Sequence, residues 1–326
     1  MQRLLGVLIL MLLAAPAAAQ QTHVAVIVGL AGEPEHGEAF QRWATTLVDG
    51  VERLGVDRSR LIYLHEKPDV DPARITGRST RQEVEGALAQ LAGAASPEDV
   101  VFILLIGHGT FDGKSAKFNL PGPDMTPADF EPLLKRIRAT QVVFVNSSSS
   151  SAPFLHELAA PGRTIVTATR TGNERFATLF GGYFVDALVS DDADLDKNRR
   201  VSILEAFTAA RLEVARAYER EGLMRTEHAL LDDSGGGTGA TEPTSDGPVG
   251  RIAGMVSLGT TAADTLPADP ALRALHVERR ELEQRIESLK LLKGGMDPAR
   301  YAGELEKLLT ALALKTRQIR DAEARR

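Results

Sequence analysis

Two short apolar runs end in residues that can carry nucleophilic chemistry. Val100–Ile106 opens into Gly107, His108 and Gly109, and residues 142–145 open into Asn146 and the five serines 147–151. Acyl transfer through a covalent intermediate needs a nucleophile, a base within hydrogen-bond reach and two donors aimed at the oxyanion. The imidazole of His108 is suited to the base. Gly109, without a Cβ, lets its backbone N–H come close to a reacting carbonyl. The alternative is purely structural: Gly-His-Gly as a tight turn, and serines whose hydroxyls cap the next helix.

A second chemistry is written into residues 194–205. Asp194, Asp196, Asn198, the carbonyl of Arg200, Ser202 and Glu205 stand at positions 1, 3, 5, 7, 9 and 12 of a calcium-binding EF-hand loop, with Val201 at its apolar eighth position. Arg199 stands where glycine normally makes the sharp turn, and a left-handed L-residue there costs about 1–2 kcal/mol. Ser202 and Glu205 also form an S-x-x-E capping box for the helix that follows. Calcium ligation and helix capping are thus both open at this loop. Asp232 and Asp233, ahead of three glycines, look like a further acidic turn.

Such residues need a scaffold. From about residue 23 to 230, short β-branched runs alternate with helical periodicity, the pattern of a parallel sheet covered by helices. Strands are expected over residues 24–30, 60–64, 100–106, 142–145 and 164–169. Helices are expected over 39–54, from Thr80 to about Leu91, from Thr126, and over 175–188. Strands that are apolar throughout are buried on both faces, and ligands of such sheets sit beyond the strands' carboxyl ends. His108 and the serines both lie there.

Residues 106–109, Ile-Gly-His-Gly, resemble the strand-end His-Gly of the caspase-like clan, closest to its legumain branch. That resemblance covers residues 23–231 and implies a caspase-like three-layer α/β sandwich with a mostly parallel central sheet. It also implies that the next strand ends in an acidic residue, a small residue, the nucleophilic cysteine, a further residue and Ser-Gly. Carried over, Asn146 takes the acidic position, Ser147 the small one, Ser148 the nucleophile, and Ser150 and Ser151 the Ser-Gly. Residues 166–170 resemble the family's strand beside the substrate pocket. The departure is chemical, because the chain contains no cysteine, and a serine hydroxyl needs an oriented base where a thiolate does not. The expectation is a non-catalytic binding or scaffold protein. The alternative is a serine-nucleophile peptidase or amidase using Ser148 and His108.

A net charge of -6 leaves no basic field for nucleic acid. Arg3, the apolar residues 4–13 and Ala17 to Ala19 have the form of a secretory signal cleaved before Gln20, too short to span a bilayer at about 20 residues. No stable membrane anchor is expected after cleavage, and the mature protein is expected in a bacterial periplasm. The domain expectation is a signal peptide at 1–19, the α/β domain at 20–233, a Gly/Thr/Pro-rich linker or covering loop at 234–268, and a helical hairpin or coiled coil at 269–326. Leu272, Leu275, Leu282, Ile286 and Leu289, then Leu305, Leu308, Leu312 and Ile319, form its two stripes, expected to engage a protein or peptide partner or a second copy. Gly29 to Gly32 lack a dinucleotide or phosphate-loop pattern, and His36, His65 and His156 show no metal-ligand spacing.

Overall fold

Runs of β-branched residues without polar alternation form strands buried on both faces. The computed structural model describes residues 20–259, 269–291, 296–323 and 325, so the expected leader at 1–19 lies outside the described residues. Strand β1 (Thr22–Val28) leads into helix α1 (Pro34–Arg53), β2 (Leu61–His65), the short β3 (Gly77–Arg78) and α2 (Arg81–Ala94). After β4 (Val100–Ile106) comes a small antiparallel hairpin, β5 (Gly109–Phe111) and β6 (Ala116–Phe118). Then follow α3 (Pro127–Leu134), β7 (Gln141–Asn146), α4 (Ala152–Leu158), β8 (Arg163–Thr167), α5 (Phe180–Leu188), α6 (Ile203–Arg220) and β9 (Leu230–Asp232).

Seven strands make one sheet in the order β3-β2-β1-β4-β7-β8-β9, parallel except for β9, which runs antiparallel to β8 at the edge. Strands β4 and β7 are neighbours, with Leu105 opposite Asn146, so their carboxyl ends leave the sheet side by side. Alternate residues feed two cores. Val24, Val26, Phe102 and Leu104 face α1, α5 and α6, while Ala25, Ile27, Val101, Ile103 and Phe144 face α2, α3 and α4. In the second core Phe130 sits 5.3 Å from Phe144 and 5.9 Å from Phe154, ring centre to ring centre. Each such ring, fully buried, contributes about 1.5–3 kcal/mol.

Local signals start the helices. Pro127 opens α3 behind a Thr126/Asp129 capping box, and Thr80 accepts from Glu83 N at α2. One expected start is wrong: residues 175–179 are not helical, and α5 begins only at Phe180. The reason is distant in sequence. The carboxylate of Glu227 accepts from the N–H groups of Leu179 (2.8 Å) and Phe180 (3.1 Å) and caps the helix there.

Residues 234–259 pack on the α/β body. Asp233 accepts from Gly250 N (2.8 Å) and Ala253 N (2.9 Å), Ser257 bridges Ser202, and Ala253, Val256 and Leu258 are buried in the first core. Helices α7 (Pro270–Leu291) and α8 (Pro298–Glu323) share their own apolar cluster, in which Ile286, Leu289 and Leu308 are buried with Leu282, Leu305 and Leu312 around them. Among the described residues no helix is long and apolar enough to cross a membrane.

Candidate functional site

His108 leaves β4 toward α1. Its ring packs edge-on against His36 (4.8 Å) and Phe40 (5.3 Å), and Nε2 lies 3.0 Å from the carbonyl oxygen of Ala31. A carbonyl only accepts, so Nε2 carries the proton and Nδ1 the lone pair. Burial, reinforced by His36, pulls the imidazole below its ordinary pKa, and the ring is neutral at physiological pH.

The serine turn is buried from end to end. Ser148 Oγ donates to Asn146 Oδ1 (2.7 Å), which also accepts from Ser148 N (3.0 Å). Ser149 Oγ donates to Gly109 O (3.0 Å) and accepts from Gly109 N (3.2 Å), stitching the turn to the first residue after His108. Ser147 Oγ donates to Leu105 O (2.7 Å), and Ser151 Oγ accepts from Thr169 N (3.2 Å). Ser150 holds a left-handed backbone (φ 55°), with its N–H on Glu174 O (2.8 Å). Ser150 Oγ and Asn146 Nδ2 have no partner among the described residues.

The structure therefore brings Gly109 and Ser148 together without pairing the nucleophile position with the base. The Ser148 proton goes to Asn146, the His108 proton to Ala31, and both candidate oxyanion donors, Gly109 N and Ser148 N, are occupied within the turn. Helix capping by serine is not what holds the turn either: α4 receives no side-chain cap from Ser151, and Ala152 N donates instead to Thr169 Oγ1 (3.0 Å).

In the acidic loop, oxygens of Asp194, Asp196 and Glu205 lie within 4.8 Å of one another. Opposite ligands of one calcium ion, each 2.3–2.6 Å from it, stand about 5 Å apart, so the triad fits a single coordination sphere. Asp194 accepts from Asn198 N (3.0 Å) and Arg199 N (2.8 Å), which winds the loop, and Arg199 takes the left-handed conformation (φ 69°) its position demands. Asn198 Oδ1 turns to Arg200 N (2.8 Å). Glu205 serves the capping box with Ser202, and its other oxygen accepts from Leu195 N (2.9 Å) and Asp196 N (3.3 Å). Burial and the neighbouring Glu205 push the Asp196 carboxyl above its ordinary pKa. Asp232 and Asp233 are absorbed by backbone N–H groups, including Gly237 N (2.8 Å) for Asp232.

A further cluster was not singled out by sequence reasoning. Glu174 accepts from Arg170 N (2.9 Å) and His228 N (3.1 Å) and pairs with His228 Nδ1 (2.8 Å), joining the loop after β8 to the segment before β9. Beside it Glu227 is buried and its carboxyl is pushed up to about 7, chiefly by desolvation. The one local hint was the density of ionisable groups in residues 225–228. Compared with known proteins, the chain matches no family model and no curated sequence.

Proposed function

We propose that this chain is an exported relative of the caspase and legumain clan that no longer hydrolyses peptides and acts as a binding module, with a calcium ion stabilising the loop at 194–205. The observation that carries the non-catalytic reading is the engagement of Ser148. Its hydroxyl is buried and donates to Asn146 Oδ1, and among the described residues no imidazole or carboxylate is hydrogen-bonded to it. Without that base a serine hydroxyl is a weak nucleophile. The helices α7 and α8 are the proposed contact for a protein partner or a second copy, through apolar residues such as Leu309 and Leu314 that stay exposed outside their shared cluster.

The test is covalent and kinetic. Incubated with a serine-directed phosphonate and with a panel of chromogenic peptides, the folded protein is expected to give no Ser148 adduct by mass spectrometry and no steady turnover. Turnover that disappears in both His108→Ala and Ser148→Ala would restore the hydrolase reading.

For the loop, Asp194, Asp196 and Glu205 would supply charged oxygens, with Asn198, the Arg200 carbonyl and Ser202 completing the set. With a dissociation constant of about 0.1 mM, 1 mM calcium stabilises the native state by about 1.4 kcal/mol, a rise of a few degrees in melting temperature. Asp196→Asn is the cleaner variant, since Asp196 is exposed and takes no part in the Ser202/Glu205 cap. It is expected to abolish the calcium-dependent rise while leaving the calcium-free melting temperature nearly unchanged. Identical melting curves in calcium and in chelator would remove the metal from the account.

A further inference from the structure

At the carboxyl end of β8 a cleft of about 100 Å3 opens between α5, α6 and the segment before β9, with Phe180 and Val214 in its lining. Neither His108 nor Ser148 lines it. Three guanidinium-bearing residues do: Arg211 pairs with Glu242 (3.0 Å), whereas the side chains of Arg170 and Arg225 have no carboxylate partner among the described residues. In a chain with 44 acidic and 38 basic residues, one concavity lined by three arginines against Glu227 and the Arg211-paired Glu242 is a locally positive site. The flanking segments expose apolar side chains. Phe176 (70% exposed) and Leu179 lie on the stretch just before α5, and Leu223 and Met224 (87% exposed) immediately precede Arg225.

We infer that this cleft docks an acidic peptide, one carboxylate seated between Arg170 and Arg225 and large apolar neighbours lying on Phe176, Leu179 and Met224. This deepens the binding-module reading and rests on it. The guanidinium fork matches a carboxylate geometrically, and the charge-assisted bond is stronger than a neutral one. A dianionic phosphate fits less well, because Glu227 and Glu242 also line the cleft and would oppose the second charge. The exposed Phe176, Leu179 and Met224 give a phosphate nothing, whereas side chains flanking an acidic residue can bury against them. The receiving surface is fixed in place: Glu227 holds Leu179 and Phe180, and Glu174 holds Arg170 N and His228. Less ordering is then needed when a ligand arrives.

The probe is a fluorescein-labelled, C-terminally amidated peptide, Ala-Phe-Leu-Glu-Phe-Leu-Ala, compared by fluorescence anisotropy with its Gln counterpart on the full chain. The Glu peptide is expected to bind about tenfold more tightly than the Gln peptide. Arg170→Ala and Arg225→Ala are each expected to weaken the Glu peptide by about tenfold, and neither should change the melting curve, since neither side chain holds a partner among the described residues. Arg78→Ala, on β3 at the opposite edge of the sheet, should leave binding unchanged. Equal affinity for the two peptides, undiminished binding in both arginine variants, or no binding by the folded protein up to about 1 mM peptide would each overturn the inference. Cleavage of the bound probe, followed by mass spectrometry in the same samples, would instead sink the non-catalytic reading while the Glu-to-Gln ratio still supports the cleft's preference.

Discussion

Gly109→Ala is expected to destabilise the protein by about 3 kcal/mol, lowering the melting temperature by roughly 10 °C. A Cβ at this position would stand 2.3 Å from the carbonyl oxygen of Ser149, 2.8 Å from Ser148 Oγ and 3.1 Å from the carbonyl oxygen of Lys117. Two of these are backbone atoms, so no flexible side-chain end can swing away. Relief would have to separate Gly109 from the serine turn, breaking both of its bonds with Ser149 Oγ and leaving buried polar groups unpaired. Denaturant unfolding of the main transition measures the cost. A loss below about 1 kcal/mol, with the m-value unchanged, would show that the turn does not press on Gly109 as described.

The second large effect is a stability that falls as pH rises. Glu227 titrates near 7 in the folded protein against 4.5 for the free side chain, because burial disfavours its charged form more than its hydrogen bonds from Leu179, Phe180 and Tyr218 favour it. Between these two values the native state keeps a proton that the unfolded chain has released. Its contribution is therefore complete below pH 4.5 and is lost progressively up to pH 7, by about 3 kcal/mol. Carboxylates with lowered pKa values, such as Asp99 and Asp129, act in the opposite sense at lower pH, so the test is a comparison. Unfolding free energies at pH 5 and pH 7.5 should diverge more in the wild type than in Glu227→Gln, which cannot titrate. Parallel pH profiles for the two proteins would mean that Glu227 ionises normally.

What the sequence discloses and what it hides follow from the range of the interactions. The strands could be read because apolar runs such as Val100–Ile106 are continuous, and the starts of α2, α3 and α6 because their caps lie within three residues of the helix. The start of α5 could not, since its cap is a carboxylate 47 residues further along. Strand β9 and the β5–β6 hairpin have only three residues per strand, too few for a periodicity to declare itself. At residues 234–259 the composition suits a linker as well as a covering loop, and the anchor, Asp233 to Gly250 and Ala253, spans up to 20 residues. The candidate site was legible as a set of residue types at two strand ends. Its bonding was not, because a serine hydroxyl can donate to a neighbouring amide or to an imidazole, and only the folded turn decides that Ser148 serves Asn146. The three arginines of the cleft come from separate stretches of chain, which no spacing rule connects.

Gly259 N donates to Thr22 Oγ1 (3.2 Å), 237 residues earlier. The polypeptide thus enters the α/β body and departs from it at one rim, where the strands begin. The arginine cleft and the serine turn occupy the other rim. Cargo tethered through the departing chain and a peptide seated between Arg170 and Arg225 would accordingly pull on the sheet from opposite ends, and joining residue 22 to residue 259 by a short bridge would allow new termini to be opened in a surface loop elsewhere without cutting the route between them.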